Sequence, residues 1–168
     1  MQSAVLSGFK PAPGEIAAML EYITTHPDHT AYHSLFAVRR KSPDDYRQVP
    51  IIARAQVLCS ALTQLTFLND WGYLDPAGSH DGEAALALLE LGKAAVERLV
   101  PVLNDSRPAP LFGSEPATLA ATYHYRRKDF AYRYLSLILG RAPAFAADPQ
   151  SRDREIEQLT ATCTKLKE

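Results

Sequence analysis

Three groups of polar and aromatic side chains in this sequence have types and spacings that can do chemistry. The first is His26, Asp28, His29 and His33. If a helix starts near Thr30, His29 and His33 stand one turn apart, a separation at which two imidazoles can share a divalent metal ion. Asp28 would add an oxygen, and the remaining ligand would come from His80, Asp81 or His124. The competing reading is a solvated helix start, where Asp28 and Thr30 compete to cap the first turn and the histidines are surface residues. The second group is Tyr123-His124-Tyr125-Arg126-Arg127-Lys128-Asp129, followed by Tyr132-Arg133-Tyr134. Aromatics interleaved with cations anchor protein partners, or stack bases and neutralise phosphates. Tyr125, Arg126, Arg127, Lys128 and Arg133 are the expected partner-binding residues. On a helix from Asp129, Phe130, Tyr134 and Leu137 would turn inward, and the cations have internal ion pairs with Asp129 or Glu115 as their alternative. The third group is Phe67-Leu68-Asn69-Asp70-Trp71-Gly72-Tyr73-Leu74. Its tryptophan either lines a pocket or, the favoured role, anchors a helix end, with Asn69 and Asp70 capping nearby backbone donors.

Motifs that would mark an enzyme are missing from the sequence. There is no glycine-rich phosphate loop, no G-x-G-x-x-G, no H-E-x-x-H and no G-x-S-x-G elbow. Ser79-His80-Asp81 holds the three residue types of a hydrolytic triad, but adjacent residues do not reproduce an imidazole bridging nucleophile and carboxylate in space. Asp44-Asp45 sits in a predicted exposed turn. No catalytic residue is therefore assigned. No cofactor is expected, with a divalent metal at the histidines as the alternative.

The elements that must position these groups read as helices. The chain has 168 residues, 46% hydrophobic and 22% charged, an ordinary globular balance for one domain with a real core. Its 18 Lys and Arg against 19 Asp and Glu leave a net charge of −1, so no global basic field draws it to nucleic acid or to an anionic membrane. No apolar run approaches the roughly 20 residues that span a bilayer, and the start does not read as a signal peptide. Cys59 and Cys163 lie far apart and form no C-x-x-C, which suits idle thiols in a bacterial or other reducing cytoplasm.

Strand alternation is scarce, and apolar residues recur at helical spacing instead. Pro13-Gly14 opens a helix with Ile16, Met19, Leu20 and Ile23 inward, and His26-Pro27 ends it. A second helix is predicted from Thr30 to Arg40, with Thr30 as cap and Leu35, Phe36 and Val38 buried. Ser42-Pro43-Asp44 starts a short turn or helical piece. A third helix is predicted from Val49 to Leu68 with a stripe of Ile52, Ala55, Leu58, Cys59, Leu62 and Leu65. After a loop over Asp75–His80, Asp81 caps a helix that Gly92 breaks. The helix that follows runs into Pro101, which must bend it or shift its hydrogen bonding. Further helices are predicted over Pro116–His124 and Asp129–Gly140. The predicted architecture is all-α, a compact single domain of about seven helices over 1–168. Residues 1–13 are a flexible lead-in, 141–151 a linker, and 152–167 a last helix with Ile156, Leu159, Cys163 and Leu166 on one seam.

The pattern Gly82-Glu83-Ala84-Ala85-Leu86-x-Leu88-Leu89-x-Leu91-Gly92, continued by Ala94-Ala95-x-x-x-Leu99-x-Pro101-x-Leu103-x-Asp105, resembles one unit of HEAT-like helical-repeat proteins. The stretch from Tyr125 through Leu135, Ile138 and Gly140 looks like the opening of a further unit. The resemblance covers about residues 82–140 and implies one or two helix hairpins, with Arg127 and Asp129 orienting adjacent helices. It also implies a non-catalytic interaction or adaptor module, a subunit of a larger assembly or an immunity-type binding protein. Its expected ligand is a protein partner or a second copy of the chain.

Overall fold

The computed structural model describes residues 12–73, 82–144 and 146–165. Among them the chain is all-α, with nine α-helices, two 3-10 turns and no strand; one isolated antiparallel bridge joins Pro108 and Arg126. No described helix is long and apolar enough to cross a membrane. The chain forms two compact units, the first ending at Gln64 and the second beginning at Leu65.

In the first unit, α1 (Pro13–Thr25) starts on a proline that needs no helical N–H partner and ends where the His26 N–H reaches back to the Tyr22 carbonyl. Ile23 is fully buried, while Ile16, Met19 and Leu20 are less enclosed. A 3-10 turn (His29–Ala31) leads into α2 (Tyr32–Lys41), followed by α3 (Pro43–Gln48) and α4 (Ile51–Gln64). The cap before α2 is Asp28, not Thr30: its Oδ1 accepts from the Thr30 N–H (2.8 Å) and from the Thr30 hydroxyl (2.6 Å). Aspartate wins because Thr30 lies inside the turn, where its own N–H needs an acceptor two residues back. Leu35, Phe36 and Val38 are buried as the spacing predicts, and α4 packs on α1, α2 and the 3-10 turn. The stripe of α4 holds at Ala55, Leu58, Cys59 and Leu62 but fails at its ends. Ile52 is 47% exposed, while Ala53 beside it in the first turn is buried. The helix ends at Gln64, so Leu65 lies outside it.

In the second unit, α5 (Glu83–Glu90) and α6 (Lys93–Leu99) meet at Gly92, whose φ of +52° and ψ of −127° only glycine adopts without strain. Pro101 cannot donate, and the chain tightens into a second 3-10 turn over Val100–Asn104. Then come α7 (Ser114–Tyr123), α8 (Arg127–Ile138) and α9 (Pro149–Lys165). α8 is the hub, packing on α5, α6, the second 3-10 turn and α9. It buries Phe130, Ala131, Tyr134 and Leu135. The Tyr134 hydroxyl donates to the Tyr73 carbonyl in the interior. α8 begins at Arg127 rather than Asp129. The last helix begins at Pro149 rather than Arg152, because Asp148 caps it by accepting from the Ser151 N–H (2.9 Å). Ile156, Leu159 and Cys163 are buried on its seam. The predicted Asp81 cap, the 75–80 loop, Leu166 and most of the lead-in lie outside the described residues.

Candidate functional site

A concave, mostly apolar surface lies at the junction between α7 and α8. Gly113, at φ +92°, turns the chain into α7. Ala117, Ala120 and Ala121 recur at the spacing of one helix face. α7 stops at His124, which takes a left-handed conformation (φ +50°, ψ +52°) while the Tyr125 N–H returns to the Ala120 carbonyl (3.2 Å). That reversal lays Tyr125–Arg127 beside Arg107–Ala109 as a short antiparallel pairing. In it the Ala109 N–H meets the Tyr125 carbonyl (2.9 Å) and the Arg127 N–H meets the Arg107 carbonyl (3.0 Å). Pro108 and Pro110 add rings and no donors. Between this strip and the alanine face of α7 lies a groove of about 420 Å³, lined further by His124, Tyr125, Arg126 and Pro149.

Behind the groove sits a network of buried charge. Asp129, fully buried, accepts from the Arg126 backbone N–H (2.8 Å) and from its guanidinium (2.9 Å). Arg126 also donates to Asp153 (3.0 Å), which Lys128 contacts at 2.8 Å. Burial works against the charge of Arg126, but its bonds to Asp129 and Asp153 prevail and hold its pKa above the ordinary value. The same contact, with Arg126 first and Lys128 after, holds the Asp153 carboxyl below the usual range.

Arg152, also fully buried, donates to four carbonyls: Ala146 (2.8 Å), Ala147 (2.8 Å), Tyr123 (2.5 Å) and His124 (3.3 Å). Its Nε lies 3.3 Å from Asp129 without pointing along the hydrogen-bond line, so that contact is an ion pair. Its guanidinium carbon stands 5.4 Å from the Tyr125 ring centroid.

Of the expected partner-binding residues, Tyr125 and Arg126 line the groove; Arg127, Lys128 and Arg133 do not. Arg127 is buried and donates to the Leu65 carbonyl (2.7 Å). Lys128 turns to Asp153 at the edge of a second, more polar cavity of about 570 Å³ between the second 3-10 turn and α9. Arg133 is half-buried along α8. Cation spacing alone does not distinguish these destinations.

At the histidines, His26 stacks on Tyr22 (centroids 4.7 Å) and His29 approaches Asp28 at 4.0 Å. Burial, then the charge of Arg40, pushes the His33 pKa down. Among the described residues no three His, Cys, Asp or Glu side chains form a group that could hold a metal ion. His124 belongs to the second unit, and His80 and Asp81 are outside the described residues. In the third cluster Trp71 is half-buried. Asn69 does not cap neighbouring donors; it brackets Phe112, accepting from its N–H (2.7 Å) and donating to its carbonyl (2.9 Å).

Arg152, Asp153 and the alanine face of α7 went unread in the sequence as site residues. The alanine spacing at 117, 120 and 121 was available as a signal; the burial of Arg152 had none. Compared with protein-family models, curated proteins and solved structures, the chain matches nothing. What defines it is an all-helical scaffold with an apolar groove backed by buried ions.

Proposed function

We propose that this chain is a protein-binding module, an adaptor or a subunit of a larger assembly, whose groove between α7 and the Pro108–Pro110 strip receives apolar side chains of a protein partner. The groove carries the reading. Its lining is mostly methyl groups and rings, which bury a partner's apolar surface without orienting a reaction.

Two features beside it support the same role. α7 buries none of its side chains completely, and Leu119 is 42% and the preceding Phe112 is 58% exposed. Phe112 packs edge-on against Phe67 (5.7 Å), itself 42% exposed and held at φ +52°. A left-handed non-glycine residue costs about 1–2 kcal/mol, so the backbone at Phe67 carries strain. With Asn69 clamping Phe112 on both sides, the pair is a pre-organised anchor.

The test compares two tryptophan substitutions of exposed residues, Ala121→Trp in the groove and Glu97→Trp on α6, after circular dichroism shows both folded. Co-purification followed by titration, with sedimentation for self-association, should show binding kept by Glu97→Trp and weakened at least about tenfold, or about 1.4 kcal/mol, by Ala121→Trp. Equal binding by the two variants would refute the groove as the site.

A further inference from the structure

We propose that Arg152 is a positioning residue for this groove, one buried guanidinium that ties the end of its α7 wall to Pro149 on α9 and thereby sets the opening between those two. The inference rests on the groove being the binding surface. On the α7 side, Arg152 Nη2 holds the carbonyls of Tyr123 and His124, the residues at which the helix ends. On the α9 side, Arg152 is itself part of the helix whose first residue, Pro149, lines the groove, and its Nη1 holds the carbonyls of Ala146 and Ala147 just before that helix. Two further lining residues are tied in as well, since the Tyr125 ring lies under the guanidinium and Arg126 reaches the Pro149 carbonyl (3.4 Å). Asp129 faces both arginines and couples the two ties. Arginine has five donors in a planar fork: four go to carbonyls here, and the fifth nitrogen, Nε, is ion-paired with Asp129 at 3.3 Å rather than hydrogen-bonded to it.

Nitroxide labels on Thr122→Cys and Gln150→Cys, both exposed positions on α7 and α9, report the separation of the walls by pulsed electron resonance. Cys59 and Cys163 are buried and stay unlabelled in the folded protein. The unsubstituted latch should give one narrow distance. Arg152→Lys keeps the charge beside Asp129 but gathers three donors on one nitrogen. It should shift that distance or at least double the width of its distribution, while Arg154→Lys, an exposed neighbour, leaves it alone. An arginine needed only for stability would lower the melting temperature without changing the distance well below it. An unchanged distribution in folded Arg152→Lys overturns the proposal. Should that variant not fold, Asp129→Asn, which removes the carboxylate orienting Arg152, must broaden the distribution, and its failure to do so overturns the proposal equally. The distance is read with no partner present, so an unchanged value leaves the groove reading standing, and a failed partner search leaves this result standing.

Discussion

Replacing Arg152 by methionine keeps a similar stem and removes the guanidinium from a fully buried site. Four backbone carbonyls lose their charged donor, and Asp129 loses a cationic neighbour. Deleting one partner of a buried ion pair costs about 3–5 kcal/mol. Here Arg126 remains 2.9 Å from Asp129, so the carboxylate is not abandoned, and the lower end, about 3 kcal/mol, is expected. For a unit of roughly 100 residues that corresponds to a fall of about 12–24 °C in melting temperature. Urea unfolding followed by tryptophan fluorescence is the assay, because the single tryptophan, Trp71, belongs to the second unit. Arg154→Met on the same helix, which loses a bond to Ser151 (2.8 Å) and an exposed charge near Asp148, should stay within about 0.5 kcal/mol of the unsubstituted protein. A loss below about 1 kcal/mol for Arg152→Met would show that the buried network does not hold the α7–α9 junction together.

Three further outcomes follow from the same geometry. Tyr134→Phe strips the Tyr73 carbonyl of its interior donor and should cost about 1–2 kcal/mol in urea unfolding. Gly92→Ala meets no atom within 4 Å of the new Cβ, so its cost, about 1–3 kcal/mol in a thermal melt, is backbone strain at φ +52° alone. Asp153 is held below the ordinary carboxylate range chiefly by Arg126. Its contribution is therefore present above the unfolded carboxyl value near pH 4 and lost as pH falls through the lower folded value. Because the side chain is 38% exposed, solvent screening keeps that contribution to about 1 kcal/mol or less. Urea unfolding at pH 6 and pH 3 should show a smaller acid loss for Asp153→Asn than for the unsubstituted protein.

The partly legible features were those that need one local fact and one distant one. The α4 stripe holds at Ala55, Leu58 and Leu62 and not at Ile52, which is exposed beside the buried Ala53, because spacing says which residues share a face and not what covers each of them. Asn69 has the sequence setting of a local cap, yet its partner is Phe112, far along the chain. The five expected partner residues scatter for the same reason. Arg126, Arg127 and Lys128 are consecutive, yet one lines the groove, one is buried and bonds the Leu65 carbonyl, and one reaches Asp153.

Local chemistry was enough to set the helical class and most of its punctuation. Pro13, His26-Pro27, Gly92, Pro101 and Gly140 act through their own φ angles and missing donors, which need no tertiary partner. The placing of buried charge came from packing alone. Arg152 stands in the run Ser151-Arg152-Asp153-Arg154-Glu155 and looks as solvated as its neighbours. It is enclosed because the end of α7, the approach to α9 and the first turn of α8 bring carbonyls and a carboxylate to one point. A side chain's burial depends on what packs against it from elsewhere, and no local pattern encodes that.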